Sequence, residues 1–103
     1  MSWIYLVTAG LLEVVWAYFM KQSEGFTRLI PTSVTIIAMI ASFALLALAM
    51  RTLPLSTAYT VWTGIGAVGA FLIGTFVLGE LANAMRVTAA LLITAGLVLM
   101  KIS

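Results

Sequence analysis

The chain has 103 residues, of which 64% are hydrophobic and only 8% are charged, and its mean hydropathy is +1.23. A water-soluble domain carries roughly a quarter charged residues, so this composition excludes a soluble globule and predicts an integral membrane protein. The sequence has no His and no Cys, which excludes disulfides, thiol nucleophiles, His-based catalysis and the usual zinc and haem sites. We therefore expect no metal and no bound cofactor. The few basic residues are scattered singly, which argues against a nucleic-acid partner.

Four long apolar segments, separated by short polar joints, run through the whole chain. A spanning helix needs about 20 mainly apolar residues, and strand-like alternation is absent, so the backbone is expected to satisfy its hydrogen bonds within helices. We expect the first segment to stay in the mature protein, because Met1–Leu12 has no Lys or Arg and Glu13 interrupts the apolar run. The sequence thus predicts an all-α integral membrane protein with a single four-helix domain. The predicted spans are residues 3–20, 31–50, 55–78 and 83–101.

The basic residues are divided almost evenly between the two membrane faces. Short joints make consecutive spans antiparallel, which places Lys21, Arg28 and Arg86 on one face and Arg51, Lys101 and the N-terminal amine on the other. The positive-inside rule needs an excess of Lys and Arg on one side, and this chain has almost none. We therefore predict a multi-pass protein of the cell inner membrane or plasma membrane that inserts both ways and forms an antiparallel, dual-topology homodimer.

A single carboxylate, Glu13, lies near the middle of the first span. A charge at the bilayer centre costs about 2.5–3.5 kcal/mol on insertion scales, and no Lys or Arg stands at matching depth. One interpretation is a Glu that stays protonated or marks a helix end. The other, which we favour, is an ion or proton site. Trp16 lies one turn away on the same helical face and offers an aromatic surface beside the acid.

Polar and aromatic side chains elsewhere in the spans are candidate site residues. On the third span, one helical stripe comprises Leu55, Tyr59, Trp62, Thr63, Gly66 and Ala70. Its aromatic residues fit either an interfacial belt or, more in keeping with their depth, a cavity lining. Ser42 lies in the middle of the second span, where its hydroxyl can bond to a carboxylate or to a carbonyl of its own helix.

Small residues make the third span thin, and the fourth span carries no ionisable group inside it. We expect Gly64, Gly66 and Gly69 to serve close packing and bending. The fourth span is expected to be a packing or dimer helix rather than part of the site. Glu24 and Glu80 lie in the joints and are interpreted as solvated charges.

Over essentially its whole length, the chain resembles a small multidrug resistance transporter. The resemblance rests on three segments, and in them Glu13 matches the family's membrane carboxylate, while Tyr59 and Trp62 match its tyrosine and tryptophan of helix three. The segments are Leu12–Val14, Ser23–Leu29 with Pro31 following, and Thr57–Gly66.

The chain is similar to the guanidinium-exporter branch of that family. Drug-exporting relatives usually have a small residue where Trp16 stands, and Ser more often than Thr at the position of Thr63. Ser42 matches the branch's helix-two serine, which is thought to bond to the carboxylate. Ser56 and Thr60 depart from the usual Gly and Ala of the family, so they leave the range of substrates open.

The resemblance implies a transporter, not an enzyme, that exports guanidinium and small guanidinyl compounds by alternating access. Protons and the cation would compete for Glu13, with the proton gradient as the energy source. Guanidinium fits a carboxylate bidentately and stacks on aromatic rings. One alternative is a broad exporter of hydrophobic quaternary ammonium drugs. An alternative of a different class is a structural or regulatory membrane subunit with a buried, protonated Glu13.

Overall fold

The computed structural model describes residues 1–102, and within them every regular element is an α-helix. All four helices are long and apolar enough to cross a membrane, which confirms the predicted architecture of four spanning helices. Their lengths of 19 to 22 residues correspond to about 29–33 Å, close to the thickness of a bilayer's hydrocarbon core. The helices are α1 (Ser2–Gln22), α2 (Leu29–Ala49), α3 (Leu55–Phe76) and α4 (Ala84–Ile102).

Local sequence signals explain where the helices begin. Pro31 stands in the first turn of α2, where its missing N–H is harmless, and Pro54 is the N-cap of α3. The side-chain oxygen of Asn83 accepts the amide N–H of Arg86 at 2.9 Å, which satisfies one of the free amides at the start of α4.

The helices lie side by side in one flat layer with the lateral order α2, α1, α3, α4. The molecule measures 40 × 34 × 16 Å along its principal axes. The α1 backbone packs against both α2 and α3, and α3 packs against α4, whereas α2 and α3 barely approach each other. Helix α1, which carries the intramembrane carboxylate, is therefore flanked on both sides.

The hydrophobic core lies at the end of the layer that holds the N-terminus and the α2–α3 joint. Its buried members are Leu6, Ala9, Leu46, Ala49, Ala58, Val61 and Trp62. At the same end, the hydroxyls of Ser2 and Thr52 are hydrogen-bonded to each other. The Nζ atom of Lys101 lies 5.6 Å from the centre of the Trp3 ring, which is within the range of a cation–π contact. These contacts hold the start of α1 to the α2–α3 joint and to the end of α4.

Helix α4 has no buried residue in the single chain. Its apolar side chains include Leu91, Leu92 and Leu99, which are 62–68% exposed. In a membrane such a surface can face lipid or a second copy of the chain. An open groove of about 520 Å³ separates part of α4 from α3.

Candidate functional site

The carboxylate of Glu13 lies in the seam between α1 and α3, directly against the backbone of Gly66. A methyl group built at position 66 would overlap the Glu13 carboxylate, so only glycine fits there without a shift. Two further contacts hold the same seam together: Gly10 of α1 faces Ile65, and Gly69 of α3 faces Val14. The small residues thus let two helices approach closely at the depth of the acid.

Two buried polar atoms of α1 have no hydrogen-bond partner within residues 1–102: Oε1 of Glu13 and Nε1 of Trp16. An unpaired buried polar atom costs about 1–3 kcal/mol, and more when it is charged. A proton would remove the charge of the Glu13 carboxylate, whereas a cation with N–H groups would donate hydrogen bonds to its oxygen.

Ser42 on α2 joins α2 to both α1 and α3, one helical turn from the acid. Its hydroxyl donates to the carbonyl of Ala9 at 2.7 Å and accepts the indole N–H of Trp62 at 3.0 Å. In an α-helix the Ala9 carbonyl also accepts the amide of Glu13, so the Trp62 ring is tied to the turn of α1 that carries the acid. The Ser42 hydroxyl thus bonds neither to the Glu13 carboxylate nor to its own helix, the two partners expected from the sequence. Because the side chain of Ala9 is small, α2 can approach α1 closely enough for the Ser42 hydroxyl to reach the Ala9 carbonyl.

Four aromatic rings form a row that starts at Trp16, one helical turn from Glu13. The ring centres of Trp16 and Phe43 are 6.4 Å apart in an edge-to-face contact, and those of Phe43 and Trp62 are 5.6 Å apart. Trp62 in turn lies 5.7 Å from Tyr59. The row brings three of the predicted site residues together across α1, α2 and α3.

Thr63 lies apart from this group. It lines the groove between α3 and α4, together with Tyr59 and Gly64, because it is turned by about 100° from Trp62 on the helix. A methyl group at Gly64 would overlap the side chain of Leu97 on α4. The three predicted glycines therefore lie in three different contacts. Gly66 packs against Glu13, Gly69 against Val14 and Gly64 against Leu97. Bending of α3 at these glycines stays a prediction.

Phe43 and the Ala9 carbonyl were missed by the sequence analysis. Phe43 is the one aromatic residue of α2 and directly follows Ser42, which is a signal that could have marked it. Nothing in the sequence marks the Ala9 carbonyl as an acceptor, because any helical carbonyl is ordinarily occupied by its own helix.

Known proteins match this chain over most or all of its length. Residues 1–93 match the family model described as Small Multidrug Resistance protein. The guanidinium exporter of Escherichia coli K12 is 58% identical over 103 residues, which cover 100% of this chain and 98% of that relative. The guanidinium exporters of Citrobacter freundii and Salmonella typhimurium are also 58% identical over the same length.

The family match and the full-length identity agree with the resemblance found in the sequence, which they confirm. They also confirm that the protein is not an enzyme, because relatives of this kind are transporters. Four apolar helices place the chain among multi-pass membrane proteins. The chain belongs to the small multidrug resistance family of transporters.

Proposed function

We propose that the protein exports guanidinium and small guanidinyl compounds in exchange for protons, and that both bind at Glu13. The observation that carries the proposal is the Glu13 carboxylate in the seam at Gly66, with a buried oxygen that lacks a partner. The names of the full-length relatives, guanidinium exporters at 58% identity, support the choice of cation.

The chemistry of guanidinium matches this site. Its planar array of N–H donors binds a carboxylate through two parallel hydrogen bonds, and its flat face stacks on aromatic rings. The row from Trp16 to Tyr59 supplies such rings, and it begins one helical turn from the acid. A tetraalkylammonium ion has no N–H group and cannot donate a hydrogen bond to Glu13 Oε1, so we expect it to bind less tightly at this site.

Competition for one acceptor explains how protons and cation would be exchanged. When Glu13 carries a proton, its charge is lost and the attraction for a cation is lost with it. When the cation is bound, the carboxylate is occupied and the proton stays away. One site that holds either, but not both, couples the two flows if access alternates between the two membrane faces.

The proposed working unit is an antiparallel homodimer. The single chain is a layer only 16 Å thick along its shortest axis, and Glu13 as a whole is only partly buried in it. The exposed apolar surface of α4 offers a face for a second copy, and the even distribution of Lys and Arg fits insertion in both orientations. Two Glu13 carboxylates would then face one cavity near the bilayer midplane, and exchange of roles between the copies would give alternating access.

Guanidinium uptake by purified protein in liposomes, measured across a pH series, tests the proposal. We expect uptake driven by a proton gradient in the wild type and none in Glu13→Gln, which keeps the shape of the side chain but cannot exchange a proton. Glu24→Gln, which removes an exposed carboxylate of a joint, is the matched control and should transport normally. Proton-coupled uptake by Glu13→Gln would refute the proposal. Absence of any cation-dependent proton release in the wild type would favour a structural or regulatory subunit, and preferential uptake of quaternary ammonium ions would favour a drug exporter.

A further inference from the structure

A second carboxylate, Glu80, is held against α3 by the joint that follows this helix. Gly79 has a φ of +72°, a left-handed conformation that glycine adopts readily, and the chain folds back so that the amide of Glu80 donates to the carbonyl of Gly74 at 2.8 Å. The Glu80 carboxylate rests on the backbone of Gly74, where an added methyl group would overlap it. The sequence analysis interpreted Glu80 as a solvated charge. The residue as a whole is exposed, but the joint holds its carboxylate at one place on α3.

This carboxylate lines a cavity of about 180 Å³ between α1 and α3, and the other charged residue of the lining is Lys21. Lys21 lies in the last turn of α1. Because short joints make consecutive helices antiparallel, the end of α1 and the joint after α3 belong to the same membrane face. Within residues 1–102, neither Lys21 nor Glu80 forms a salt bridge, so one cavity offers a positive and a negative group that are both available to a ligand.

The cavity is charged at its outer end and apolar toward the membrane interior. Apart from Tyr18, its remaining lining residues are apolar or glycine, and on α1 they reach back to Val14. Val14 and Lys21 are separated by about 10 Å along the helix. Since α1 has 21 residues and so matches the thickness of the hydrocarbon core, Lys21 lies at the level of the lipid headgroups and Val14 at the level of the acyl chains. Such a lining fits an amphiphile better than a water-soluble ion.

We propose that this cavity binds a phospholipid whose headgroup carries both a primary ammonium and a phosphate, as phosphatidylethanolamine does. The lipid ammonium donates charge-assisted hydrogen bonds to the Glu80 carboxylate, and the phosphate pairs with the ammonium of Lys21. The acyl chains lie along the apolar part of the lining on α1 and α3. Phosphatidylcholine has no N–H group to donate to Glu80, and phosphatidylglycerol has no cation for it, so both bind less tightly.

Native mass spectrometry of the purified protein tests the proposal without any transport assay, so its outcome is independent of the proposed function. The protein in detergent is mixed with equal amounts of the three phospholipids, all with the same acyl chains, and the retained lipid is counted. We expect the wild type to retain phosphatidylethanolamine about threefold to fivefold more than either of the others, the size typical of a partly exposed ion pair.

Single substitutions assign the two ends of the headgroup. Glu80→Gln should abolish the preference for phosphatidylethanolamine over phosphatidylcholine, and Lys21→Gln should lower the retention of all three lipids because they share the phosphate. Glu24→Gln and Arg28→Gln are the matched controls, since each removes a charge of the same sign from the other joint on this membrane face. Both controls should keep the wild-type preference.

A further variant keeps every charge of the protein. In Gly74→Ala the added methyl group displaces the Glu80 carboxylate, so the preference for phosphatidylethanolamine should fall toward that of Glu80→Gln. Soluble phosphoethanolamine, which is the headgroup without acyl chains, should not displace the lipid at equal concentration. The proposal is overturned if the wild type shows no preference, if the preference survives in both Glu80→Gln and Gly74→Ala, if Glu24→Gln loses it equally, or if the soluble headgroup displaces the lipid.

Discussion

The carboxylate of Glu13 on α1 rests on the backbone of Gly66 on α3, so the space for the acid is defined by the absence of a side chain. This relationship joins the packing of the two helices to the candidate binding site. A change at position 66 should therefore act on the site directly, although Gly66 has no functional group of its own.

Gly66→Ala should weaken guanidinium binding at least about tenfold, equivalent to about 1.4 kcal/mol, because the added methyl group displaces the carboxylate. Isothermal titration of purified protein measures the affinity. Gly64→Ala makes a matched comparison, since its methyl group meets the side chain of Leu97 on α4 and not the Glu13 carboxylate. Equal losses of affinity in the two variants would show that α3 tolerates added volume at neither position. The contact between Gly66 and Glu13 would then not be the cause.

Ser42→Ala should lower the free energy of unfolding by about 1–3 kcal/mol, because it leaves the buried indole N–H of Trp62 without an acceptor. Unfolding of the detergent-solubilised protein by a denaturing detergent measures the change. Ser33→Ala is the control: its exposed hydroxyl bonds only to the carbonyl of Leu29 in the same helix, so we expect a change within about 0.5 kcal/mol. An effect of Ser42→Ala no larger than that of the control would mean that the Trp62–Ser42–Ala9 link contributes little.

Trp16→Gly should weaken guanidinium transport and ease the entry of bulkier cations. The change removes the indole beside Glu13 and its contact with Phe43, which opens space and takes away a stacking surface worth about 0.5–2 kcal/mol. Transport of guanidinium, a substituted guanidine and a tetraalkylammonium ion is compared in liposomes. Trp16→Phe, which keeps a flat ring, should fall between the wild type and Trp16→Gly. Unchanged relative rates would assign Trp16 to packing alone.

A tag at the C-terminus should be found on both sides of the membrane in similar amounts. The reason is the near-equal count of Lys and Arg on the two faces, which gives the inserting chain no preferred orientation. Labelling of the tag in intact and in permeabilised cells measures the ratio. Adding two Lys residues to the C-terminal tag should shift the ratio toward a cytoplasmic C-terminus. A tag found on one side only, in cells without a related second chain, would contradict dual insertion.

The positions of the four helices could be predicted from the sequence, but which helices pack against each other could not. Each helix ends within two residues of its predicted span, because lipid forces long apolar segments into helices. Periodicity also put Glu13 and Trp16 on one face of α1. It could not tell which helix lies opposite that face, so the bond from Ser42 to Ala9 and the place of Thr63 in the groove toward α4 came only from the structure. Lateral order depends on how side chains from different helices fit together, and no pattern within one helix records it.

The lateral order of the helices has a consequence for biosynthesis. Because α1 lies between α2 and α3, a chain that enters the membrane from its N-terminus first pairs α1 with α2, and α3 must then dock on the opposite flank of α1. Until it does, Glu13 has no Gly66 to rest on and faces lipid, at a cost of the order of 2.5–3.5 kcal/mol. A chain that has inserted only α1 and α2 therefore carries this cost, and docking of α3 on α1 reduces it.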